Sequence, residues 1–140
     1  MKKILLLLFI IFSIVSFIFI QSKKTTPLTI SFYSWENSFD SENIKEKLYI
    51  KVLDIAYSTK LEIIKTQLKS KPKDFVPVVY ITNETMKNLD YSLVSNAILK
   101  TLKNLDFNEV QIDCDWSDSS QSNYFKLLKD LKEKLNKTIS

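Results

Sequence analysis

The residues with the clearest capacity for chemistry lie in "NEVQIDCDWSDSS", Asn108 to Ser120, where Asp113 and Asp115 stand two apart and Trp116 follows. On an extended strand such a pair shares one face with Cα atoms about 6.5–7 Å apart, so the two carboxylates can converge on one ligand. Carboxyl groups that close raise the pKa of one of the pair. Carboxylate pairs about 5–9 Å apart serve glycoside hydrolysis as acid and nucleophile or base. Asp-x-Asp also occurs in aspartyl phosphotransferases, where an aspartate is the nucleophile and Mg²⁺ the clamp, and in glycosyltransferases that hold Mg²⁺ and a nucleotide sugar. The phosphotransferase motif opens its domain and is followed by further lysine and acidic motifs, whereas here only one helix follows. A structural role, with the aspartates capping the next helix or paired with lysines, also fits the pattern.

Composition narrows these choices. The chain of 140 residues has no glycine, so it has no phosphate-binding glycine loop, no dinucleotide turn and no G-x-S-x-G elbow. It has no histidine, which removes Ser-His-Asp and Cys-His catalysis and imidazole metal ligands. All 20 basic residues are lysine, so no guanidinium fork is present. The single cysteine, Cys114, forms no intrachain disulfide and reads as a small buried hydrophobe. Chemistry is left to carboxylates, amides, hydroxyls, aromatics and lysines, and no cofactor or metal is expected. Net charge is +4, yet Lys2, Lys3, Lys23 and Lys24 flank the apolar N-terminal segment, and the remainder is close to neutral. Nucleic-acid binding therefore has no electrostatic support.

The elements that must position the aspartates can be read from periodicity. Residues 1–22 combine a basic start with an apolar run from Ile4 to Ile20, interrupted only by Ser13 and Ser16. This predicts one hydrophobic helix, acting as an uncleaved membrane anchor or a cleaved signal peptide, with the rest of the chain extracytoplasmic. Residues 23–30 read as a linker and 31–140 as one domain. Strands are predicted at "LTISFYSW", "LYIKVLDI", "FVPVVYITN" and "EVQIDCDW". Ser41 is placed to cap a very short helix, and residues 56–74 have a spacing that fits a helix or an extended excursion and are read as irregular. A helix from Asp90 or Ser92 to about Asn104 is expected to bury Leu93, Ala97, Ile98, Leu102 and Leu105. A last helix, about Ser120 to Leu135, is expected to bury Tyr124, Leu127, Leu128, Leu131 and Leu135. Its lysines form a solvated face that could also meet a membrane surface or partner helix.

Strands alternating with helices argue for an α/β fold with a mostly parallel sheet. Polar residues gather where these strands end: Ser34, Trp35 and Glu36; Asp54; Thr82, Asn83 and Glu84; Asp113, Asp115 and Trp116. That placement matches a site on the C-terminal face of a parallel sheet or barrel. Tyr33, Trp35, Asp54, Asn83 and Trp116 are the expected substrate-binding residues, and Asp113 and Asp115 the expected catalytic pair.

"FYSW", "LYIKVLDI", "FVPVVYITNETM" and "EVQIDCDWSDSSQSNYFKLLKDLK", in this order, resemble the first half of an uncharacterised bacterial family of extracytoplasmic, membrane-linked proteins. The resemblance implies about four βα units, the N-terminal half of a TIM-like (β/α)8 barrel related to glycoside hydrolases, and a carbohydrate ligand. The chain departs from the pattern in places. Ser117 stands where a chitinase-type D-x-D-x-E strand carries its acid, the first crossover is short, and "NKTIS" falls where a fifth strand begins. The expectation is a truncated barrel with doubtful activity, or a non-catalytic half-barrel that self-associates or takes a complementary half.

Overall fold

The computed structural model describes residues 30–140 except 41–43, 45, 71, 73 and 74. The expected N-terminal helix, the larger part of the linker and Ser41 lie outside these. Among the described residues no helix is long and apolar enough to cross a membrane.

The strands are β1 (Ser31–Ser34), β2 (Ser38–Phe39), β3 (Lys47–Tyr57), β4 (Leu61–Lys65), β5 (Gln67–Leu68), β6 (Phe75–Ile81), β7 (Glu109–Cys114) and β8 (Thr138–Ile139). The helices are α1 (Asn83–Asn88), α2 (Tyr91–Leu102) and α3 (Gln121–Leu135). The main sheet runs β1-β3-β6-β7-β8, every neighbouring pair parallel, with β4 added antiparallel to β3. The protein is thus a mixed α/β fold with a mostly parallel sheet whose main path follows chain order.

For residues 56–74 the structure replaces irregular chain with the extended alternative. β3 continues to Tyr57, turns, and returns as β4, pairing Ile55 with Ile63 and Tyr57 with Leu61. The β-branched residues Ile63 and Ile64 suit a pleated ribbon. β5 then pairs with β2, and this small ribbon covers part of the apolar side of the sheet with buried Phe39 and half-buried Leu68. Described helices therefore follow β6 and β7, while the crossover from β3 to β6 is made of strands.

α1 was not anticipated. Thr82 caps it, its hydroxyl accepting from the Thr85 amide at 3.3 Å, and the buried Thr85 hydroxyl donates to the Ile55 carbonyl at 3.1 Å. α2 starts after Asp90 as expected, the carboxylate accepting from the Ser92 amide at 2.8 Å. Ile98 and Leu102 are buried as expected, with Ala97 and Leu105 packed beside the core; Leu93 is instead 57% exposed, and Val94 and Ser95 are buried in the first turns. α3 buries Tyr124, Leu127 and Leu131, with Leu128 and Leu135 packed beside them. It ends at Asn136 in the left-handed region, φ 51°. In a chain without glycine, asparagine is the next residue able to take this position. The layer between α2, α3 and the sheet contains Ile50, Leu53, Ile55, Val79, Ile81, Val110 and Ile112.

Candidate functional site

Register places the polar side chains on the opposite face. Tyr33 pairs with Tyr49; Lys51 with Val78, which pairs with Gln111; Asp54 with Tyr80, which pairs with Asp113. Paired residues on neighbouring strands point to the same side. Asp54, Tyr80 and Asp113 therefore form one row across three strands, near their carboxyl ends.

Lys51 and Asp54 could not share a face in a regular strand, being three residues apart. The register shifts between Lys51 and Leu53, a β-bulge that sets Val52 and Leu53 against Val79 alone. Both Val52 and Leu53 are buried. The extra residue restores Asp54 to the polar side, where it pairs with Lys51 at 2.9 Å. Lys51 also donates to the Asn37 side-chain oxygen at 3.1 Å.

This face is concave. The Tyr33 hydroxyl donates to Gln111 Oε1 at 3.3 Å, joining β1 to β7 across two intervening strands. A flat sheet would hold these strands about 14 Å apart with parallel side-chain directions, so the contact requires those directions to converge. Lys47 on β3 likewise reaches Glu109 on β7 at 2.8 Å. Beneath these bridges the short side chains of Val76 and Val78 are 3% and 1% exposed.

At the carboxyl end of the trough Tyr80 donates its hydroxyl to Asp115 Oδ2 at 2.9 Å. Trp35 meets the Tyr80 ring edge-on, centroids 6.5 Å apart at 88°. Tyr33 lies nearly parallel to Trp35 at 6.4 Å and stacks on Tyr49 at 4.5 Å. Tyr33 and Trp35 remain 51% and 45% exposed, so an apolar surface borders the acidic row. Burial, and then the neighbouring Asp115, raise the pKa of Asp113. The hydrogen bond to Asp115 is the main reason the Tyr80 phenol is raised, followed by burial. Cys114 faces the core, and its thiol is pushed up to about 12 by burial, then by Asp115 and Asp113. It stays protonated at neutral pH and is no nucleophile there.

The structure thus brings together Tyr33, Trp35, Asp54, Asp113 and Asp115, and places Asn83 and Trp116 elsewhere. The Trp116 amide donates back to the Cys114 carbonyl at 2.9 Å, a tight turn that ends β7. Trp116 then stacks on Tyr124 of α3 at 6.2 Å and lies 5.7 Å from Phe125. The Asn83 side-chain oxygen accepts from the hydroxyls of Ser120 at 2.6 Å and Ser117 at 3.1 Å, tying the start of α1 to the loop before α3. Tyr80 and Lys51 are the site residues that sequence reasoning missed. Tyr80 is the one polar group in "FVPVVYI" and stands near its carboxyl end, which was a usable signal. Among the described residues no group of three or more acidic, cysteine or histidine side chains is placed to hold a metal ion. No family model, curated protein or solved structure matches the chain.

Proposed function

We propose that this chain is a membrane-anchored, extracytoplasmic protein whose domain corresponds to the N-terminal half of a glycoside-hydrolase-like (β/α)8 barrel and binds carbohydrate at the carboxyl end of its trough. One observation carries the reading: the unbroken set Trp35–Tyr80–Asp115, which joins an exposed indole to a carboxylate across the trough, with Asp113 and Asp54 in the adjoining row. Sugar rings combine apolar faces with hydroxyl edges, and sites for them pair aromatic surfaces with a few placed polar groups. Parallel strands in chain order and a sheet that curls toward its polar side support the barrel reading. Asp113, whose pKa burial raises, is placed as the acid of a carboxylate pair, and Asp115 is the partner oriented by Tyr80.

Titration of the full chain in detergent with a panel of soluble oligosaccharides, followed by Trp fluorescence, tests the binding reading. Binding should weaken at least tenfold in Trp35→Ala; an unchanged affinity, or no binding by the wild type, would overturn it. Hydrolysis of any panel member that disappears in Asp113→Asn and Asp115→Asn would extend the reading to catalysis. A second reading, a non-catalytic module that pairs with a second copy or a complementary half-barrel, is favoured by β1. That strand is paired on one side among the described residues and leaves Ile30 and Phe32 58% and 49% exposed. A concentration-dependent mass in analytical ultracentrifugation that Phe32→Lys abolishes would support it.

A further inference from the structure

Because β1, β3, β6, β7 and β8 are all parallel, they start at the same end of the molecule. α2 and α3 lead directly into β7 and β8, so their C-terminal turns lie at that end too. Lys100 in the last turn of α2 and Lys103 at its cap collect there with Lys132 and Lys134 in the last turn of α3 and Lys137 just beyond. Lys100, Lys103, Lys132 and Lys134 are exposed, and the Lys132 ammonium donates to the Lys137 carbonyl at 2.9 Å. Asp106, Glu109, Asp130 and Glu133 are the acids of these same segments and Glu46 precedes β3. Glu109 is bound by Lys47 and Asp130 by Lys134, so Lys100, Lys103, Lys132 and Lys137 carry the basic character. The opposite end carries Asp54, Glu84, Asp90, Asp113, Asp115 and Asp118 at strand ends and helix starts, against Lys51, which is bound to Asp54, Lys60 and Lys87.

Lysines in a last helical turn also answer the helix dipole, which accounts for part of this polarity. The dipole does not account for where the chain enters. β1 begins at the basic end, so the segment carrying Lys23 and Lys24, preceded by the apolar run Ile4–Ile20, joins the domain there. Extended, the linker 23–30 reaches at most about 28 Å. It would hold the domain close to a bilayer without pressing it there, because charges act over about 8 Å at physiological salt.

We propose that this basic end, built on Lys100, Lys103, Lys132 and Lys137, seats the domain on a lipid surface carrying anionic headgroups. The Trp35–Tyr80–Asp115 end is then turned away from the bilayer, open to an extended ligand. The proposal rests on the anchor reading of residues 1–22, and the test separates the two. Full-length chain in a Cys114→Ala background carries a fluorophore at Asn104→Cys (basic end) or Asp118→Cys (acidic end). It is reconstituted into vesicles containing spin-labelled headgroups, either with phosphatidylglycerol or with phosphatidylcholine alone. With phosphatidylglycerol the label at 104 should be quenched and the label at 118 should not. Quenching at 104 should be relieved by 1 M salt, where the Debye length falls to about 3 Å, and by omitting the anionic lipid. Replacing Lys100, Lys103 and Lys132 by Gln should shift the seating equilibrium roughly fivefold per lysine. If the chain fails to float with vesicles in high salt, the anchor reading fails and the seating proposal with it. If it floats but quenching at 104 ignores lipid charge, or 118 is quenched as strongly, the seating is overturned and the anchor stands.

Discussion

The Asp113 carboxyl sits on the polar face, partly buried, in the same row as Tyr80 and Asp54 and two residues from Asp115. Its raised pKa has a consequence for stability. The unfolded chain ionises this group first, near 3.8, so the stability it contributes is complete below that pH and is lost as pH rises through the folded value. Asp113→Asn should therefore melt higher than wild type at neutral pH, and the advantage should vanish as the pH falls below the free-aspartate value; scanning calorimetry across that range checks it. Tyr80→Phe removes the hydrogen bond to Asp115, and a loss of about 0.5–1.5 kcal/mol in urea unfolding is expected. The same variant should weaken oligosaccharide binding if Asp115 must be held in place.

Individual elements show how local chemistry sets what faces the trough. The bulge at Val52–Leu53 buries two consecutive apolar residues and turns Asp54 back to the polar side. The tight turn after Cys114 sends Trp116 to α3, so an aromatic that sequence order places beside the aspartates becomes part of the helix layer. Asn136 closes α3 in the left-handed region and directs the chain into β8. Most residues pay about 1–2 kcal/mol for that conformation, asparagine less and glycine almost nothing. Asn136→Gly should hold or raise stability, whereas Asn136→Val should lower it by about 1–2 kcal/mol in denaturant titrations.

At the scale of the molecule, the polarity of the sheet follows from its strands being parallel, with all their starts at one end. β8 is short, yet three backbone hydrogen bonds tie its segment to β7: Thr138 N to Asn108 O, Ser140 N to Val110 O, and Ile112 N to Ser140 O. Deleting residues 138–140 should cost about 1–4 kcal/mol. It would also bare the β7 edge, so light scattering on heating should rise earlier than in wild type.

Local pattern was enough to locate β1, β3, β6, β7, α2 and α3, and to put Gln111 and Asp113 on one face of β7. Those features depend on periodicity within a dozen residues, which the chain displays directly. Tertiary structure alone decided the rest. Whether residues 61–68 formed helix or ribbon depended on partners in β3 and β2, and whether Leu93 or Val94 was buried depended on how the first turn of α2 met the sheet. The set of Trp35, Tyr80 and Asp115 joins residues 35 to 45 positions apart, and the Tyr33–Gln111 bridge spans 78, separations closed by the order and register of the paired strands.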